Sequence, residues 1–487
     1  MFLGIDIGTS AVKLSLVSAD MVQVDQAQAP LTVSTPHPYW SEQNPEDWWD
    51  ALATACRDLG ARQDLSAVKA IGLSGQMHGA VLLDATGAVI RPSILWNDGR
   101  SHGECGDLAE AVPEIGALSG VPPMPGFTAP KLLWLSRHEP EAYARIARVL
   151  LPKDYVGWRL HGDFVTDRSD AAGTCWLDQA QRSWSDLLCQ ASATDPVWLP
   201  ALRDGTEFAG TLAKSAAAAL DLPPGVPIAA GGGDAATGAV GIGAVRHGAS
   251  FLSLGTSGQL FVATDSYRPN PEQMVHAYCH TVPDMWFQMA AMLNGARPMQ
   301  WFADISGKAL PDLLAEAAAV PPEDAPLYLP YLTGERSPHG DPHIRGAFYG
   351  LADGMGRAEL MRGVVNAIAF SFKDAADSLR AAGTDVRHVL AIGGGAQSDL
   401  LLQTIADVLG TPIARSGDPT TGPALGAAKL AAVATGTATL DDLAMRSTAD
   451  RLFEPSGSDA LEQGLKGFRL LYQRLRGIHE DLSGGRA

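Results

Sequence analysis

"GIDIGTSAVKLSLV", residues 4–17, sets a carboxylate, Asp6, in an apolar run just before a Gly-Thr-Ser turn. Val, Ile and Leu alternate with small or polar residues on both sides of Gly8-Thr9-Ser10, the pattern of strand, tight turn, strand. The same layout returns in "FLSLGTSGQLFV", residues 251–262, around Gly255-Thr256-Ser257. Gly8 and Gly255 stand 247 residues apart, about half the chain. Two hairpins of one design, one opening each half, predict two similarly built domains. A buried acid is costly unless paired, and the natural partner of Asp6 is a cation.

A Gly-Thr-Ser turn can hold phosphate oxygens, because glycine lets backbone N–H groups approach closely and hydroxyls add donors. For one copy alone, hairpin geometry explains the turn equally well. Three further segments favour the ligand reading. "VPIAAGGGDAATGAVG" (227–242) reads as a strand, a loop ending at Asp234 and a small-residue helix. "HVLAIGGGAQSDLLLQTIADVLG" (388–410) repeats strand, glycine loop, helix, and "TTGPALGAAKLAAVATG" (420–436) enters an Ala-rich helix suited to close packing. Such turns aim backbone amides and a helix N-terminus at anions. None matches the dinucleotide fingerprint or GxxxxGK[ST], so neither a Rossmann site nor a P-loop is indicated. The 52 glycines, roughly 11% of the chain against an average of about 7%, gather in these loops and predict a nucleotide cleft.

The 487 residues allow two or three domains, and 46% hydrophobic with 18% charged residues describes a globular protein. A net charge of -18 argues against a nucleic-acid surface. Five scattered cysteines without a CxxC pair argue against a disulfide framework or a structural zinc site. The amino terminus lacks a basic n-region and no run of 18 apolar residues occurs, so a cytoplasmic location without a membrane partner is expected.

The motifs together resemble the FGGY carbohydrate kinases over nearly the full length, and within them the bacterial enzymes that phosphorylate D-xylulose. The resemblance rests on "GIDIGTSAVK", "PYWSEQNPEDWW" (38–49), "GLSGQMHGAVLLD" (72–84), "ILWNDGR" (94–100) and "GFTAPKLLWLSRHEP" (126–140). "LPKDYVGWRLHGDFVTDRSDAAGT" (151–174), "AAGGGDAATGAVG", "LSLGTSG", "LPYLTGERSPH", "GAFYGL", "AIGGGAQS" and "GPALGAA" continue it in family order. "SGQMHG" is the most specific, since glycerol kinases carry an Arg-Glu pair there. The resemblance implies the two-domain actin/Hsp70/sugar-kinase (ribonuclease H-like) α/β fold with a deep interdomain cleft. It implies residues 1–245 as a sugar-binding and catalytic domain, 246–440 as an ATP-binding domain and 441–487 as a helical extension and tail. It also implies ATP and D-xylulose as substrates, Mg²⁺ as cofactor, and a homodimer as a common assembly.

Residue roles follow from the same resemblance. Asp234 is expected to accept the proton of the sugar 5-hydroxyl as the γ-phosphate transfers; its alternative is a helix N-cap. Asp6 is expected to face the phosphates and orient Mg²⁺ through water, against a plain salt bridge to a neighbouring lysine. Lys13 is expected to touch phosphate rather than only solvent. Gly8, Thr9, Ser10, Gly255, Thr256 and Ser257 would supply amide and hydroxyl donors, and Gly394 and Gly395, with Ser398 nearby, room for adenosine. Met77 and His78 are the expected sugar contacts, against a core methionine and a satisfied histidine. Trp96 would pack on the carbon face of the sugar, with Asn97 and Asp98 for hydroxyls.

Arg336 and His339, in "GERSPH", carry no role at this stage. The acids of "SEQNPEDWWD" (41–50) read as a capped helix with a solvated face, and "RGIHEDLSGGRA" as a fraying helix end. One rival keeps the chemistry and changes the sugar: a ribulokinase-like or other pentulose or pentitol kinase. A remote rival, a nucleotide-dependent chaperone or a sugar-sensing regulator, would need a peptide-binding or DNA-binding domain, for which the motifs leave no room.

Overall fold

Both hairpins form, and each nucleates a sheet. The computed structural model describes residues 1–417, 422–444 and 449–478. Two expectations fall partly outside these residues: the start of the 420–436 loop and the last nine residues of the tail.

In the first half, β1 (Phe2–Ile7), β2 (Ala11–Val17), β3 (Gln23–Pro30), α1 (Pro45–Gly60), β4 (Ala70–Gly75), β5 (Phe208–Thr211), β6 (Pro227–Gly233) and α2 (Asp234–Ile242) frame the site. The sheet runs β5-β6-β4-β1-β2-β3. β1 is parallel to β4 and β4 to β6, while β2 and β3 run antiparallel to their neighbours. The second half contributes β7 (Ser250–Leu254), β8 (Gly258–Thr264), β9 (Val275–Cys279), β10 (Trp286–Met292), α3 (Arg297–Ser306), α4 (Arg357–Ala381) and β11 (Val389–Ile392). It continues through α5 (Asp399–Leu409), β12 (Ile413–Ser416), α6 (Pro423–Ala434), β13 (Ala449–Phe453) and α7 (Asp459–Leu475). Its sheet runs β9-β10-β8-β7-β11-β12-β13. Here β7, β11 and β12 are mutually parallel, and β8 and β10 are antiparallel.

The string β3-β2-β1-β4-β6 therefore repeats as β10-β8-β7-β11-β12 with the same strand directions. The twin hairpins predicted this duplication.

β1 and β4 are buried along their whole length, as strands covered on both faces must be. α1 covers one face through Trp48, Leu52, Ala55 and Leu59; Asn44 caps it by accepting from the Glu46 N–H at 3.3 Å. The other face is covered by α6, a helix from the far end of the chain. At Gly4 and Gly72 an added Cβ would lie 1.8 Å from the carbonyl oxygens of Ala424 and Ala427. Helix backbone thus rests directly on strand backbone, which only glycine allows. The second core packs around α4, with Val364, Ile368 and Phe372 against Leu260, Val262 and Met292. Each such side chain contributes about 1.5–3 kcal/mol by burial.

Two details differ from the sequence reading. Gly231, Gly232 and Gly233 belong to β6 rather than to a loop, so α2 starts at Asp234 directly off the strand. α6, expected within the second domain, packs on the first sheet. Among the described residues no helix is long and apolar enough to cross a membrane.

Candidate active site

Four hollows are lined by the expected residues, and three of them share walls. One of about 470 Å³ is bounded by Asp6, Lys13, Gly422 and Pro423. The next, about 330 Å³, shares Gly422 and Pro423 and adds Asp234, Ala235, Ser253 and Gln259. The third, about 250 Å³, shares Asp234, Ala235 and Gln259 and adds Met77, His78, Trp96, His276, Tyr278 and Arg336. Asp234 thus stands where the second and third hollows meet. The fourth, about 610 Å³, opens beside Gly255 and Thr256, between Gly394-Gly395 and the Arg297, Gln300 and Trp301 face of α3.

Asp6 is only 5% exposed. Its Oδ1 accepts from the Ser74 hydroxyl at 3.0 Å, from the register position beside it on β4. Ser74 in turn lies 2.7 Å from the Thr237 hydroxyl of α2. Lys13 is its cross-strand neighbour, yet Asp6 has no salt bridge among the described residues. The simple lysine-pair explanation for the buried acid does not apply. Burial raises the Asp6 pKa to about 6, with Ser74 and Lys13 pulling it back. Lys13 itself is exposed and faces the first hollow.

Asp234 is the first residue of α2, and Gly233 holds the N-cap position, so the capping alternative is excluded. Its Oδ1 accepts from the Ala235 N–H at 2.8 Å. Burial, then the nearby Asp6 charge, raises its pKa to about 7. That places a carboxylate near the optimum for a general base at neutral pH.

Met77 and His78 face the third hollow. His78 adopts φ 71°, a left-handed conformation that costs a non-glycine residue about 1–3 kcal/mol. Its surroundings hold it there. Its carbonyl accepts from Lys131 Nζ at 2.8 Å and from the Thr128 hydroxyl at 3.2 Å. Its ring Nδ1 lies 2.6 Å from the Gly173 carbonyl, and the ring stacks on Phe127 at 4.5 Å. Gly173 has to be glycine, since a Cβ there would sit 2.5 Å from the imidazole. Burial pushes the His78 pKa down to about 3, so the ring is neutral.

The other expected residues divide: Trp96 and Ser257 line the third hollow and Thr256 the fourth, while the rest lie elsewhere. Trp96 is 45% exposed, not core, and its indole N–H donates to the Thr9 hydroxyl at 3.0 Å. Thr9 passes its own proton to Gln76 Oε1 at 2.8 Å, so its hydroxyl serves the protein rather than a phosphate. Asp98 is taken by Arg100 at 2.7 Å and by the Ser41 N–H at 2.6 Å, which removes it from the sugar contacts, while Asn97 is exposed. Ser10, Thr256 and Ser257 sit at the exposed turn tips beside Gly8 and Gly255. Ser398 does not line the nucleotide-sized hollow; it caps α5 by accepting from the Leu401 N–H at 3.2 Å. His339 pairs with the Tyr331 hydroxyl at 2.9 Å and stacks on Tyr472, away from the cavities.

Sequence reasoning missed Lys131, His276, Tyr278 and the α3 wall. The alternation in "VHAYC" could have flagged His276 and Tyr278 as sharing one face of a strand. Lys131, buried inside an apolar helix pattern, gave no such signal.

The model of the FGGY family of carbohydrate kinases, N-terminal domain, matches residues 1–241, and that of its C-terminal domain matches residues 251–435. The chain belongs to this family. Among its relatives, the xylulose kinase of Escherichia coli (strain K12) is 46% identical over 436 residues, covering 89% of this chain and 90% of the relative. The xylulose kinase of Klebsiella pneumoniae is 44% identical over the same span. A crystal structure from Brucella ovis, described as a xyloylose kinase, superposes with a TM-score of 0.94 at 41% identity, covering 98% of this chain and 99% of that one. The family's two-domain α/β architecture is thus the one read from the twin hairpins.

Proposed function

We propose that this chain transfers the γ-phosphate of ATP to the 5-hydroxyl of D-xylulose, giving ADP and D-xylulose 5-phosphate. One observation carries the reading: Asp234, poised near pKa 7, joins a sugar-sized hollow walled by Met77 and His78 to a hollow leading to Asp6. The names of the similar kinases support the choice of sugar. In the transfer, the 5-hydroxyl gives its proton to the Asp234 carboxylate. Its oxygen bonds to the γ-phosphorus, and the bond from that phosphorus to the β,γ-bridging oxygen breaks, releasing ADP.

The backbone of the Gly8-Thr9-Ser10 and Gly255-Thr256-Ser257 turns and the Lys13 ammonium would meet the phosphates, with adenosine beside Gly394 and Gly395. The residues also fit Mg²⁺. Asp6 is a buried carboxylate with one neutral partner. Among the described residues, no group of three or more His, Cys, Asp or Glu forms a complete protein cage. A single carboxylate acting through water, together with substrate phosphates, is how Mg²⁺ is commonly held. When bound, the ion neutralises charge on the transferring phosphoryl group.

In this reading the cut at residues 245 and 246 separates sugar chemistry from nucleotide binding only in part, because His276, Tyr278 and Arg336 also face the sugar hollow. Cytoplasmic sugar catabolism, with a homodimer as the assembly, completes the proposal.

The test is ADP release across D-xylulose, D-ribulose, L-ribulose, xylitol and D-arabinitol. D-xylulose should rank first by kcat/KM. A clearly better pentulose or pentitol overturns the sugar and leaves the kinase class standing.

A further inference from the structure

Arg336, without a role in the sequence, lines the sugar hollow together with His78, His276 and Tyr278. Its guanidinium makes no salt bridge or hydrogen bond among the described residues. The acid beside it, Glu335, is turned away and accepts from the Leu293 N–H at 2.6 Å, the Asn294 amide at 3.3 Å and the Arg336 backbone N–H at 2.8 Å. Two more polar groups converge on the same hollow from alternate positions of β9. The Tyr278 hydroxyl and His276 Nδ1, on side chains 2% and 3% exposed, have no hydrogen-bond partner among the described residues. Buried polar groups are normally satisfied. Two such groups, beside a half-buried guanidinium with no partner, mark a place where a ligand supplies the partners.

The chemistry of the trio narrows that ligand. A guanidinium only donates, so it asks for an oxygen acceptor. Burial and the Arg336 charge hold His276 neutral, with its pKa down at about 3, so the imidazole and the phenol can each donate or accept. Asp234, on the wall shared with the neighbouring hollow, takes a hydroxyl proton. A 2-ketopentose in water closes a ring by adding its 5-hydroxyl to the C2 carbonyl, which consumes the hydroxyl that must be phosphorylated. Only the open chain presents a free hydroxyl to Asp234 and a free carbonyl to a donor.

We propose that Arg336, supported by Tyr278 and His276, binds the C2 carbonyl oxygen of the open-chain ketose and so selects ketoses over polyols. This rests on the kinase reading above and adds a specificity determinant to it.

The experiment compares kcat/KM for D-xylulose with that for xylitol and D-arabinitol, its two C2-reduced forms, and for D-xylonate, in the wild type, Arg336→Met, Arg336→Lys and Tyr278→Phe. Arg336→Met should lower the ketose-to-polyol ratio about 100-fold, because a site built to hydrogen-bond one group loses its discrimination when the donor goes. Arg336→Lys should recover part of the ratio, and Tyr278→Phe should lower it a few-fold. A purely structural role would depress ketose and polyol together. If the ratio is unchanged in the soluble variants, the carbonyl contact is wrong while the kinase reading stands. If Arg336→Met does not fold, an unchanged ratio in Arg336→Lys and Tyr278→Phe overturns the proposal by itself. A wild type that prefers D-xylonate shows the guanidinium reading a carboxylate, which also overturns it. A wild type that prefers a polyol overturns the D-xylulose reading and this inference together.

Discussion

The two hairpins share one backbone plan and carry opposite chemistry. In the first, Asp6 lies opposite Lys13 across β1 and β2, and both face a hollow. The corresponding cross-strand pair of the second is Ser253 and Gln259, both uncharged and both on the wall of a hollow, with Leu260 beside them fully in the core. The difference follows from what flanks each. β2 is followed by β3, an outer strand with four exposed positions, so a lysine on β2 can reach solvent and the hollow in front of it. β8 lies between β7 and β10 under the long helix α4, so Leu260 and Val262 are taken into the core and only the uncharged Gln259 meets a hollow. Duplication fixed the topology. Burial then decided which copy could keep charge.

The largest way to test that asymmetry is Asp234→Asn. General-base catalysis supplies about 10²–10⁴-fold, so turnover with D-xylulose should fall by that order while D-xylulose binding, followed by calorimetry, persists. Near-normal turnover would remove Asp234 from the chemistry.

Next comes the twin pair itself. Asp6→Asn should cut turnover about 10²-fold, as loss of one preorganised electrostatic group does, and should raise the Mg²⁺ concentration needed for half-maximal rate. Ser253→Ala, at the neutral twin position, should change turnover only a few-fold and leave the Mg²⁺ response alone. Equal effects at the two positions would mean that the hairpins do not divide the work.

A smaller effect is expected at Lys131→Met. Its buried amine, whose pKa burial holds well below the ordinary lysine value, donates to the His78 carbonyl and also to the Ile94 carbonyl at 3.1 Å. Leaving those acceptors unmet costs about 1–3 kcal/mol of stability each. The His78 backbone should relax, raising KM for sugar about tenfold, equivalent to about 1.4 kcal/mol, with kcat little altered. A fall in kcat at constant KM would show that Lys131 acts elsewhere.

Much of this was legible in the chain. Repeated Gly-Thr-Ser turns between apolar strands announced a doubled fold, because period-two alternation and turn chemistry are local signals. Asp6, Met77, His78 and Asp234 stood in motifs and do line the connected hollows. What stayed hidden depends on long-range packing. α6 reaches back to the first sheet through Gly4 and Gly72, a contact between residues more than 350 positions apart. Thr9 is diverted by Gln76 and Trp96, and Asp98 by Arg100 and Ser41, partners that only the folded chain brings within reach. His276 and Tyr278 looked like ordinary strand residues until a cavity formed in front of them.

In the proposed reaction, burial and the Asp6 charge tune Asp234 into a base near neutrality. The most direct measurement is kcat/KM for D-xylulose against pH in the wild type, since this quantity reports the ionisation of the free enzyme. Only the deprotonated carboxylate can accept the hydroxyl proton, and a pKa raised from 3.8 to about 7 delays that form to neutral pH. The rate should therefore rise as pH increases and reach half its plateau close to pH 7, somewhat lower if Mg²⁺ beside Asp6 relieves the repulsion. A profile already flat between about pH 5 and 8 would place the base at an ordinary carboxylate pKa and contradict the tuning.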